Sequence, residues 1–163
     1  MNQFTLNRRD LSILQILQGN GDITNAELAK HVFMSPSQVS RRRQDLEQSG
    51  IIRGYRADID RAKIGLSVVA FVSVTLVRHS PENSARFRAL IAETPWITDS
   101  YALSGDSDFL LKVVTRDLHE YFNFVTNFLL AHETVEKVRT DIVLDIVKEE
   151  GSIPLKGSAP GNS

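Results

Sequence analysis

Apolar residues in the first third of the chain recur at helical spacing. In LNRRDLSILQILQGNG, Asp10, Ile13, Leu14 and Leu17 share one face, Asn7 stands where an N-cap belongs, and Asn20-Gly21 marks the stop. A second helix opens at Thr24. The run Thr24-Asn25-Ala26-Glu27 fits a capping box, in which hydroxyl and carboxylate take up N–H groups that the helix start leaves without partners. Leu28, Ala29 and Val32 form its inner face. A third helix runs through SPSQVSRRRQDLEQSG, residues 35–50, with Ser35 as cap, Pro36 where a missing N–H does no harm, Gln38 at the capping-box position and Gly50 as the stop. Only Phe33 and Met34 separate the second helix from the third, so the two must meet at a sharp angle, the helix-turn-helix arrangement.

Beyond Gly50 the period changes. IIRGYRADID alternates like a short hairpin or strand, and LSVVAFVSVTLVR alternates Val68, Ala70, Val72, Val74 and Leu76 against a mixed second side. SPENSARFRALIAETP is a helix with inner face Phe87, Leu90 and Ile91, stopped at Pro95. WITDSYALS and DFLLKVVTR are strands joined by a tight turn, Gly105-Asp106-Ser107-Asp108. DLHEYFNFVTNFLLAHE is a helix capped by Asp117, with Glu120 at the box position, and VEKVRTDIVLDIVKEE is a last strand. The order β-α-β-β-α-β from residue 67 predicts a ferredoxin-like domain with two helices on one sheet face. The fold class is therefore α+β, divided into a helix-turn-helix domain over 1–50, a linker over 51–66, the ferredoxin-like domain over 67–150 and a flexible tail over 151–163.

The totals narrow the chemistry. The 163 residues contain no cysteine, which excludes disulfides and thiolate catalysis. The N-terminus lacks the basic-then-apolar run of a secretory signal, and GLSVVAFVSVTLV is too short and too interrupted to span a membrane, so a cytoplasmic protein is expected. Residues 1–60 hold eight Lys/Arg against seven Asp/Glu, and the overall formal charge is -1. Any contact with DNA must come from a local patch, and residues 35–43, with three arginines and no acid, are the one dense candidate.

Three consecutive arginines cannot share a helix face, since each residue turns about 100°. With Val39 and Leu46 facing inward, Arg41 points outward beside Ser37, Ser40 and Gln44. Arg42 and Arg43 flank the buried stripe, roughly 50° off its centre. The outward set Ser37, Gln38 and Arg41 has the residue types that reach base edges, with Ser35 at the cap. The flanking Arg42 and Arg43 are expected to lay their stems on the core and meet phosphates on the groove walls. A solvated helical face is the competing reading, and the two capped helices with a two-residue turn weigh against it.

At this point the chain resembles the Lrp/AsnC family of leucine- and asparagine-responsive, or feast/famine, transcription factors. The matching motifs are D-x-x-I-L-x-x-L-Q from Asp10, E-L-A at 27–29, S-x-x-x-V-x-R-R from Ser35 to Arg42, and L-E-x-x-G-I-I-x-G-Y-x-A-x-I-D from Leu46 to Asp60, with Gly65. G-x-x-D at Gly105 and Asp108, F-L-L-K-V after it and V-R-T-x-I-V-L ending at Leu144 follow, so the resemblance covers about residues 6 to 150. It implies a winged helix-turn-helix that binds palindromic operators in double-stranded DNA. It also implies a ferredoxin-like domain that dimerises, commonly assembles into a tetramer of dimers, and binds an amino acid or related effector near the G-x-x-D turn. Three departures stand out. Arg43 replaces a residue usually apolar, and either snorkels or pairs with Glu47. Asp45 stands where arginine is common, and Phe33-Met34 is a bulkier turn than expected.

The turn at 105–108 has two readings. One is ordinary hairpin chemistry, with glycine supplying positive φ and aspartate making local hydrogen bonds. The other has Asp106 or Asp108 accepting from an effector's ammonium group while turn N–H groups hold its carboxylate. Tyr101 and Leu103 alternate onto one face leading to the turn, and Thr140 matches a family position near the same site. His31, His79, His119 and His132 are scattered without metal-ligand spacing, Trp96 reads as packing, and no cofactor, catalytic triad or P-loop pattern is present. The competing functions are a tetrapyrrole decarboxylase of similar fold and an effector-free protein that compacts DNA.

Overall fold

A computed structural model describes residues 5–78, 80–149 and 151–155. The chain divides into two compact units. One comprises the residues up to Asp58 together with those from Lys148 onward, and the other is Ile59–Val147.

The first unit holds α1 (Arg8–Gly19), α2 (Asn25–Val32) and α3 (Pro36–Gln48). Each starts on a complete capping box: Asn7 with Asp10, Thr24 with Glu27 and Ser35 with Gln38. In α2 the hydrogen bonds from Thr24 hold the Glu27 carboxyl below its usual range. Ile13, Leu28, Val39 and Leu46 are fully buried, and Leu17, Ile23, Ala29 and Val32 complete a core that no single helix could form. The turn between α2 and α3 works as a staple. Met34, just before the Ser35 cap, packs into the same cluster as Val39, one turn inside α3.

The segment 51–60 departs from its alternating pattern. It forms no strand, because an extended segment needs a hydrogen-bonded neighbour and none pairs with it among the described residues. Residues up to Asp58 belong with the first unit. A helical turn follows at 61–65, opened by the Asp60 carboxylate accepting from Ala62 N at 3.1 Å and Lys63 N at 3.2 Å. The described part of the expected tail, 151–155, also belongs to the first unit, while 156–163 lie outside the described residues.

The second unit holds β1 (Val68–Leu76), α4 (Pro81–Ala92), β2 (Ile97–Ala102), β3 (Phe109–Thr115), α5 (Leu118–Phe124) and β4 (Val135–Ile142). All pairings are antiparallel, in the order β2-β3-β1-β4. Ala70, Val72, Val74 and Leu76 of β1 and Phe109, Leu111 and Val113 of β3 line one sheet face, covered by Phe87 of α4 and by Tyr121 and Phe124 of α5. This is the βαββαβ arrangement. One expected helix is two-part: α5 gives way to a π-helical turn over Val125–Leu129. Asp117 caps α5 as expected, but the Glu120 carboxylate goes to the Arg116 N–H and guanidinium instead of closing a box, and Arg116 holds it below the usual carboxylate range.

Candidate functional site

In α3 the facing pattern holds but two of its destinations change. Val39 and Leu46 are buried, and Ser37, Gln38, Arg41 and Gln44 are exposed. Arg41 makes no hydrogen bond or ion pair to the described residues. Ser35 and Gln38 are joined in the cap: Ser35 Oγ accepts from Gln38 N at 3.3 Å, and Gln38 Oε1 accepts from Ser35 N at 3.0 Å. Ser35 Oγ also meets Ser37 Oγ at 3.1 Å. The amide nitrogen of Gln38 remains on the exposed face.

Arg42 turns toward α1. Its Nε donates to Asp10 Oδ1 at 2.8 Å and its Nη2 to Asp10 Oδ2 at 2.5 Å, a two-pronged pair that matches the fork of guanidinium to the fork of carboxylate. Asp10 is wholly buried and also accepts from the Asn7 N–H at 2.9 Å. The pairing with Asp10 tightens the hold of Arg42 on its proton. Asp45 lies 3.7 Å from Nη1 of the same guanidinium, which accounts for an acid in a basic helix.

Arg43 is also drawn into the fold. Its Nη1 donates to the Ile23 carbonyl and to Asn25 Oδ1, both at 3.0 Å, while its guanidinium sits 5.0 Å from the Tyr55 ring centroid. The Tyr55 hydroxyl accepts from Arg43 Nε at 3.2 Å and donates to Glu47 Oε1 at 2.9 Å. Burial raises the Tyr55 hydroxyl above its ordinary pKa. Arg43 therefore reaches Glu47 through Tyr55 and pins the start of α2 to α3. Arg42 and Arg43 set the attitude of α3 against α1 and the start of α2. Both guanidinium groups hold partners inside the unit, a structural role that the expectation of phosphate contacts did not include. The sequence carried one clue, a charged Asp10 on the face of α1 that is otherwise apolar.

The turn between β2 and β3 is longer than expected, spanning 103–108. Gly105 does not have positive φ, so hairpin geometry does not call for glycine there, and a Cβ added to it would meet nothing within 4 Å. Asp106 is exposed. Asp108 is a latch: its Oδ2 accepts from Leu76 N at 2.8 Å, its N–H donates to the Val74 carbonyl at 2.9 Å, and its carbonyl accepts from Leu103 N at 2.9 Å. Asp108→Ala is accordingly expected to destabilise the second unit by about 1–3 kcal/mol, by leaving the Leu76 amide without its acceptor at a buried residue. Thermal denaturation of the full chain measures it.

The remaining effector candidates do not all converge. Tyr101 pairs with Leu110 and lies on the sheet face away from the helices, with Leu103 following beyond the strand end. Thr140 pairs with Val72 on the helix-covered face, where its hydroxyl meets the Tyr121 hydroxyl at 2.5 Å. Burial raises the Tyr121 pKa. Since β2 and β4 are the two edges of the sheet, Tyr101 and Thr140 stand three strand spacings apart, about 14 Å, on opposite faces. One copy of the chain cannot bring them to one small molecule.

Among the described residues no cluster of His, Asp or Glu could hold a metal ion, and no helix is long and apolar enough to cross a membrane. His31 and His119 are exposed, His132 Nδ1 lies 2.8 Å from Thr134 Oγ1, and His79 falls outside the described residues. Trp96 packs with its ring 5.9 Å from that of Phe124.

Residues 6–53 match the family model described as winged helix-turn-helix DNA-binding, and residues 69–153 match the Lrp/AsnC ligand binding domain. The chain is 41% identical over 140 residues to the leucine-responsive regulatory protein of Rhizobium meliloti (strain 1021), covering 86% of this chain and 90% of that protein. It is 34% identical over 151 residues to the protein of the same name from Escherichia coli (strain K12), covering 93% and 92%. Among solved structures, a transcriptional regulator from Neisseria meningitidis in complex with L-Met superposes with a TM-score of 0.89 at 36% identity, covering 93% of this chain and 98% of that one. These relatives are regulators, which sets the decarboxylase reading aside.

Proposed function

Because the chain belongs to the Lrp/AsnC family of transcriptional regulators, we propose that it reads a palindromic operator as a homodimer and answers to an amino acid or a closely related effector. The observation that carries the DNA half is the contrast within one helix. Arg42 and Arg43 are engaged in the fold, whereas Arg41 stands exposed on a doubly capped helix beside Ser37 and Gln44. Arginine in that position suits the O6 and N7 edge of guanine, and serine and glutamine add adaptable donors and acceptors. One helix reads few base pairs, and two-fold symmetry doubles the contact set.

The homodimer reading is supported by apolar surface on the second unit. Leu144 is 97% exposed and Val147 93%, and Phe71 and Tyr101 add to the uncovered sheet face. The effector is assigned to the 103–108 turn, where Gly105 and Asp106 are exposed. Thr140 takes part only if a neighbouring copy supplies it. Two variants leave the turn's own hydrogen bonds intact: Gly105→Ala and Asp106→Ala. Both are expected to keep the wild-type melting temperature and to weaken the heat signal on titration with the amino acid that binds. Full-strength binding by both would move the effector elsewhere.

Selecting bound fragments from the organism's DNA, with and without a panel of amino acids, tests the whole reading. The expected result is a recurring inverted repeat whose recovery shifts with one or a few amino acids. A protein indifferent to every duplex at low salt would overturn it. Binding without sequence preference or effector response would favour the DNA-compacting reading.

A further inference from the structure

Phe33 closes α2 in the left-handed conformation, φ 53 and ψ 50, and among the described residues it is the one non-glycine residue with positive φ. The turn demands this backbone. The N–H groups of Phe33 and Met34 both return to the Ala29 carbonyl, and Met34 must swing into the core beside Val39. Glycine meets such a demand without steric cost, whereas a bulky side chain is strained there. The ring recovers nothing from packing, since Phe33 is 92% exposed. Strain and bare apolar surface at one residue point to a contact outside the chain.

We propose that Phe33 is a specificity-determining residue of the DNA interface, its ring packing against thymine C5-methyl groups in the major groove. The inference rests on the operator-binding reading above. Phe33 stands two residues before the Ser35 cap, at the amino end of α3, with its neighbour Met34 turned into the core. In helix-turn-helix proteins that end of the recognition helix enters the groove and meets base edges. Among the four bases only thymine offers an apolar group there, and phenylalanine is one of the side chains suited to it.

The test uses the full-length chain and the duplex recovered from operator selection, with each thymine replaced in turn by deoxyuridine, which removes the methyl group alone. Wild type is expected to lose roughly three- to tenfold in affinity at one or two positions per half-site, the range for one buried methyl group. Phe33→Gly is expected to melt no lower than wild type, to bind the all-thymine duplex more weakly, and to be insensitive to deoxyuridine at those positions. Wild type indifferent to every replacement, or Phe33→Gly keeping the same sensitivity, overturns the proposal while leaving operator binding intact. Failure of both proteins to bind any duplex overturns the operator reading as well, and is distinguishable on that ground.

Discussion

Arg42→Ala is expected to destabilise the first unit by about 3–5 kcal/mol, the cost of leaving a buried charge without its partner. Asp10 is fully buried, and the two prongs of Arg42 are its chief compensation beside the Asn7 amide. Against a typical domain stability of about 5–15 kcal/mol, a loss of that size removes a large part of the folding margin. Denaturant unfolding of the full chain, followed by its helical signal, measures it. Arg42→Lys should recover only part of the loss, because an ammonium group cannot reproduce the paired geometry. Replacing both partners together, as Asp10→Leu with Arg42→Met, should restore most of it, since no charge is then left buried. A stable Arg42→Ala variant with weaker DNA binding and a shallower salt dependence would instead make Arg42 a phosphate contact.

Arg41→Ala should behave in the opposite way. Its side chain is exposed and makes no bond to the described residues, so folding stability should stay within about 0.5 kcal/mol of wild type. Binding to the preferred operator should fall by about 1–3 kcal/mol per half-site, roughly 5- to 150-fold. The loss should be selective. Fluorescence anisotropy against single-base variants of the operator should show discrimination collapsing at one position per half-site and surviving at the others. An equal loss on every sequence would mean that Arg41 touches phosphate and that bases are read by other residues. Together the two variants separate a residue that reads from a residue that aims the reader.

Their contrast also shows where sequence reasoning ran out. Capping boxes were legible because their partners lie three residues apart, and the buried stripe of α3 was legible because helical spacing fixes it. The same wheel placed Arg42 and Arg43 beside the stripe correctly. It had no means of showing that Asp10 waits 32 residues upstream of Arg42, or that Tyr55 lies across from Arg43. In the second unit the alternating pattern revealed the strands and their inward faces. The strand order, which puts Tyr101 and Thr140 at opposite edges, depends on β1 pairing with strands 35 and more residues away, from Val74 with Phe109 upward, and leaves no local trace. Segment 51–60 alternates as a strand does, but alternation supplies only the side-chain half of a strand; the other half is a partner.

One contact in the first unit involves no side-chain recognition of the kind that patterns can register. The Gln18 amide accepts from the Ile153 N–H at 2.5 Å and donates to the Ile153 carbonyl at 3.2 Å, so it treats position 153 as a neighbouring strand would. Such a clasp is blind to the identity of residue 153, with proline the exception because it has no N–H to give. A fragment cut anywhere before residue 148 would leave that amide without its backbone partner. Experiments on an excised amino-terminal piece would therefore report on a unit missing one of its own fastenings.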